Sequence, residues 1–138
     1  MKFITGLLNY SNNLHFYLKF ERMGHYKYID TKHIDSIAAG DTEFMTELID
    51  IFLGQIPEFI STMKNALKEQ DYTLLAHEAH TAKSSVLTFG MEETGILLKN
   101  IQLKAEANEL EEIPFMVNDV VLQLEAVVPE LRELKSSL

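Results

Sequence analysis

From Asp41 to the C-terminus, apolar residues recur at intervals of three and four, the spacing of helices that each bury one stripe. A short helix is predicted from about Thr31 to Ala39, ending at Gly40, where glycine adopts a left-handed cap without penalty. Asp41 then reads as an N-cap, followed by Phe44, Leu48, Ile51, Phe52, Gln55, Phe59, Met63 and Leu67 as a largely apolar stripe. Pro57 should kink or divide that helix. Asp71 caps the next, in which Leu75, Ala79, Ala82, Val86 and Phe89 alternate at four and three and define a buried seam that stops at Gly90. A further helix carries Leu97, Leu98, Ile101 and Ala105 as far as about Asn108. The last starts near Glu111, carries Met116, Val120, Leu124, Val127 and Leu131, and is expected to bend at Pro129. No alternating strand pattern competes. The expected fold is all-α: an antiparallel four-helix bundle with an additional short N-terminal helix or helices.

The bundle is assigned to residues 25–138. Residues 1–24, rich in Phe, Tyr, Leu and Asn, are compositionally distinct and read as an N-terminal extension, either an extra helix or disordered. Asn9, Ser11, Asn12 and Asn13 interrupt any signal-like apolar core there. No run approaches the 18 or so consecutive apolar residues of a membrane-spanning helix, so membrane insertion is not expected and the cytoplasm is the predicted location.

Composition narrows the chemistry. Of 138 residues, 46% are hydrophobic and 24% charged, as in a single globular domain. Twenty-one acidic against 12 basic residues leave a formal charge of −9, which repels a nucleic-acid backbone and favours protein partners. Cysteine is absent, which removes disulfides, thiolate nucleophiles and cysteine-held metal centres. No cofactor is expected.

The informative stretch runs from Ala76 to Gly90. His80 follows the seam residue Ala79 and lies about 100° around the helix axis from it, so its imidazole should reach solvent. Lys83 and Ser84 follow at i+3 and i+4, on the same face and one turn further on. A neutral imidazole nitrogen is a competent nucleophile near neutral pH, and a phosphoryl group placed on it needs adjacent positive charge, which Lys83 supplies. Small Ser84 leaves room for the equatorial oxygens and for a partner's approach. Nothing in the chain looks suited to bind ATP.

These residues resemble the histidine-containing phosphotransfer (HPt) family, whose signature reads A-H-x-x-K-[GS]-[SA]-x-x-x-x-G. Ala79, His80, Lys83, Ser84, Ser85 and Gly90 match it in order and spacing. The likeness spans roughly Tyr28 to Arg132, through Ile29-Asp30, Gly40-Asp41 with Phe44 and Leu48, and Asp71. Ser84 is a departure, since the family more often has glycine there. The resemblance implies a bundle that takes a phosphoryl group on His80 from a receiver-domain aspartate and passes it to another. Such a protein is a phosphotransfer intermediate without kinase activity of its own, and a monomer partnered by receiver domains of response regulators or hybrid sensor kinases. It also implies that Gln102 holds the imidazole. Geometry permits this independently: positions 80 and 102 average to 91, beside the Gly90 turn, so the two stand level across an antiparallel hairpin. The connection near Gln70 folds the preceding helix back and places Phe59 and Ile60 level with His80, as an expected apolar docking surface.

Other classes fit less well. A carboxylate-bridged metal bundle would use His77, Glu78 and His80, but the Glu-x-x-His pairs it needs on two helices are missing. A sensor-kinase dimerisation segment normally has an acid after its histidine, where this chain has Thr81. A non-catalytic helical scaffold, with His80 inert, is the remaining alternative. His77 reads as a solvated surface residue, and His15, His25 and His33 lack recognisable partners.

Overall fold

The computed structural model describes residues 26–138, and the expectations for residues 1–24, and for His15 and His25, lie outside them. The described residues form five helices: α1 (Lys32–Ala38), α2 (Thr42–Lys68), α3 (Tyr72–Thr88), α4 (Glu92–Glu106) and α5 (Ile113–Ser136). The four long helices run up and down, joined by short turns. Each packs on two neighbours, α2 on α3 and α5, and α4 on α3 and α5, which closes the bundle; α1 lies against α2.

Local chemistry sets the boundaries. The side chain of Asp41 accepts the Phe44 N–H at 3.0 Å, and Asp71 accepts the Leu74 N–H at 3.0 Å, so each carboxylate satisfies a donor that the helix itself leaves orphaned. After α1, the left-handed cap is taken by Ala39 (φ 50°), with Gly40 (φ 86°) following it. α4 stops at Glu106, two residues short of Asn108 (φ 57°), and α5 begins at Ile113 with Pro114 in its first turn, where the missing N–H costs nothing.

The α3 seam is buried throughout at Leu75, Ala79, Ala82, Val86 and Phe89. The α2 stripe differs from expectation. The buried set is Met45, Ile49, Phe52, Ile56, Phe59, Met63 and Ala66, a strict four-three alternation, whereas Phe44 is 37% and Ile51 57% exposed. The expected stripe follows the bulkiest side chains at the start of α2, and two of these lie on its wet side. Gln55, placed in that stripe, instead accepts a hydrogen bond from Ser85 Oγ at 2.9 Å and ties α2 to α3. Nor does Pro57 divide α2: its ring faces solvent and the helix continues from Thr42 to Lys68 around it. α5 likewise continues through Pro129 to Ser136. On α5, Val117 is buried where Met116 was expected, and Met116 is half-buried beside it.

The segment before α1 straps the end of the bundle where α3 turns into α4. The Glu130 carboxylate on α5 accepts backbone N–H groups of Tyr28 at 3.0 Å and Ile29 at 3.2 Å, and the Asp30 N–H donates to the Phe89 carbonyl at 3.0 Å. Gly90 sits under this strap at φ 71°, and a Cβ there would overlap the Asp30 carbonyl. Left-handed backbone and close approach together require glycine at this position.

Candidate functional site

Midway along α3, His80 is exposed although its neighbour Ala79 is fully buried. Across the hairpin, Gln102 on α4 brings its side-chain oxygen Oε1 to 3.2 Å from His80 Nδ1. An amide oxygen only accepts, so this contact requires the proton on Nδ1 and leaves Nε2 with a free lone pair. The close approach has a packing cause. α3 and α4 share the most extensive helix-helix contact among the described elements, and their buried residues include Ala76, Ala79, Ala82, Gly95 and Ala105, all small; a Cβ at Gly95 would run into Leu87 of α3. Small side chains bring the backbones near enough for a short amide to span the gap.

Lys83 is half-buried and Ser84 exposed on the turn of α3 that follows His80, and no ion pair among the described residues engages Lys83. Its ammonium is therefore not committed to a carboxylate there. Ser85 is turned away toward Gln55, so its place in the motif is a helix-helix tether. Gly90 acts at the turn, ten residues from His80, by admitting the strap.

An open depression adjoins His80, with Ala76, His77, Gln102, Ala105 and Glu106 in its lining. His77 stands on its far side from Lys83, and its backbone carbonyl accepts from Thr81 Oγ1 at 3.1 Å. Glu78, turned the other way, has its pKa raised above the usual carboxylate value because burial disfavours the charge; His77 opposes this and Glu58 adds to it. Among the described residues, no group of three or more His, Asp and Glu side chains is placed to hold a metal ion.

One expectation needs amendment. Phe59 is core, 4% exposed, and offers none of the free apolar surface expected beside His80, whereas Ile60 is half-buried against that core and stays partly accessible. Glu106 was not foreseen. Its Oε2 accepts from Gln102 Nε2 at 3.2 Å. The available signal was its i+4 spacing from Gln102, which sets the two side chains on one face.

Comparison with known proteins agrees with this geometry. Phosphorelay protein LuxU of Vibrio harveyi is 34% identical over 65 residues, which cover 47% of this chain and 57% of that relative, so a little over half of its length is matched. The crystal structure of histidine-containing phosphotransfer protein B (HptB) from Pseudomonas aeruginosa PAO1 superposes with a TM-score of 0.75 at 19% identity, covering 80% of this chain and 96% of that one; this likeness bears on the fold alone. The family model described as Hpt domain matches residues 47–134, which hold the whole of the His80 motif and Gln102, and the chain belongs to the Hpt domain family.

Proposed function

We propose that this protein is the histidine phosphotransfer intermediate of a two-component phosphorelay, with His80 as the residue that carries the phosphoryl group. The observation that carries this reading is the exposed His80 ring, held at Nδ1 by Gln102 so that Nε2 faces outward as the nucleophile. In the forward step the Nε2 lone pair attacks the phosphorus of a receiver aspartyl phosphate. The P–O bond to the aspartate breaks, the N–P bond forms, and the aspartate leaves as a carboxylate. Nδ1 keeps its proton, and the positive charge that the ring acquires is stabilised by the Gln102 oxygen. The reverse of the same step delivers the group to a second receiver. Catalysis is then a matter of position and charge, with Lys83 offsetting part of the phosphoryl group's roughly two negative charges and Ser84 keeping the approach open. ATP and a cofactor have no part in such an exchange.

The partners under this reading are receiver domains of response regulators or hybrid sensor kinases, and the working unit is a monomer in the cytoplasm formed by residues 25–138, with 1–24 as an accessory extension. Among the described residues no helix is long and apolar enough to cross a membrane. The test is incubation of the full chain with receiver domains carrying labelled phosphoaspartate. Label should pass into the wild-type protein and not into His80→Gln of equal helical content, and undiminished labelling of that variant would overturn the assignment.

A further inference from the structure

Gln102 has two chemically opposite ends, and only one of them prepares His80 for attack. With the oxygen toward the ring, Nδ1 carries the proton and Nε2 is free. With the NH2 toward the ring, Nδ1 must accept, the proton moves to Nε2, and the outward nitrogen loses its lone pair. Packing does not decide between these orientations, because the two ends of an amide have nearly the same shape. A neighbour that only accepts hydrogen bonds does.

Glu106 is such a neighbour, one turn beyond Gln102 on α4, with Oε2 at 3.2 Å from Gln102 Nε2. Its placement serves the helix poorly. It is the last residue of α4, where the carbonyl end of the helix dipole favours a cation. The nearby Lys104 is engaged with Glu112 at 3.6 Å. We propose that Glu106 is a positioning residue: its carboxylate holds the Gln102 amide with the oxygen toward His80, and so sets the imidazole tautomer that leaves Nε2 unprotonated. The proposal rests on the reading of His80 as the phosphoryl acceptor for its functional meaning. The relay itself, from carboxylate to amide to imidazole, is a matter of structure.

The relay makes a signed prediction. Glu106→Ala removes the preference, so the Nε2-protonated form should rise to a substantial share. Glu106→Lys replaces an acceptor by a donor, turns the amide round and should make the Nε2-protonated form dominant; a cation at a helix C-terminus is favourable, so the fold should persist. Glu106→Gln keeps an acceptor oxygen and should restore most of the wild-type pattern. The readout is the pair of His80 ring-nitrogen chemical shifts in the 15N-labelled full chain at about pH 8.5, where an ordinary imidazole (pKa about 6.5) is neutral. Phosphorylation by phosphoramidate, a small donor that needs no receiver, is measured in parallel, and Glu106→Lys should be roughly three- to tenfold slower. His80 nitrogen shifts identical in the wild type, Glu106→Ala and Glu106→Lys would overturn the relay. The two readings fail separately. A tautomer that follows residue 106 in a protein that never accepts phosphate keeps the relay and removes the phosphotransfer role. A wild type that accepts phosphate while the tautomer ignores residue 106 does the reverse.

Discussion

The two sides of the bundle are built from different materials. The buried side chains of α2 and α5 are nearly all large, among them Ile56, Met63, Leu124 and Leu131. Those of α3 and α4 include Ala76, Ala79, Ala82, Gly95 and Ala105 beside the larger Leu75, Val86, Leu98 and Ile101. Large residues remove more apolar area from water, at about 25 cal/mol per Å2, so each of them contributes more to stability than a buried alanine or glycine. Small residues contribute little of that kind but set the backbone separation at which Gln102 reaches His80. Stability and site geometry thus lean on different residues, and substitutions of the large and of the small ones should separate them.

The sharpest contrast is between Leu124→Ala and Ala79→Leu. Leu124 is fully buried, and its truncation should cost about 2–5 kcal/mol through lost burial and a residual cavity, while the folded fraction still accepts phosphate. Ala79→Leu overfills the tight seam and should cost less, about 1–3 kcal/mol, yet reduce phosphoryl acceptance severely because it displaces His80 relative to Gln102. Denaturant midpoints and labelling rates of the two proteins decide the matter, and an Ala79→Leu protein with a normal rate would show that the seam does not set the site.

A smaller effect isolates the contact across the hairpin. Gln102→Ala removes the hydrogen bond to His80, worth about 0.5–1.5 kcal/mol, together with the exposed one to Glu106, and with about 1.4 kcal/mol per decade the phosphorylation rate should fall roughly three- to tenfold, with the melting temperature little changed. A rate equal to wild type would mean that the amide contributes nothing to the reaction.

The smallest expected effect lies on the face of α3 turned away from the site. Glu78 has a raised pKa in the folded state, so the folded chain holds that proton more tightly than the unfolded one. This carboxylate therefore costs stability at pH values above its folded pKa, and the cost fades as pH falls through it. Glu78→Gln should raise the melting temperature slightly at neutral pH and lose that advantage in acid; a variant less stable at neutral pH would refute the sign.

The same division explains what could be read from residue order. The α3 seam is legible because its apolar residues follow one unbroken alternation, although Leu74 and Leu87 of the same helix are exposed. On α2 the pattern misleads because Phe44 and Ile51 are large and apolar yet exposed, while Met45 beside Phe44 and Ile49 beside Leu48 are the buried ones. Residue size does not say which of two adjacent apolar positions faces the core. The level of Gln102 opposite His80 follows from helical rise and the place of Gly90. Glu106 was not legible, since a glutamate in a last helical turn looks like ordinary surface charge until the amide beside it is seen. Nor was the Gln55 tether to Ser85, because a hydrogen bond between distant residues leaves no periodic trace.

The claim at the centre is that one nitrogen of one histidine receives the phosphoryl group. The most direct measurement is phosphorus and nitrogen NMR of the 15N-histidine-labelled chain after phosphorylation by a receiver domain. A single phosphoramidate signal is predicted, acid-labile and base-stable, coupled to Nε2 of His80 while Nδ1 stays protonated, and absent in His80→Gln. A phosphoryl group found on another residue, or a signal that persists in His80→Gln, would contradict the account.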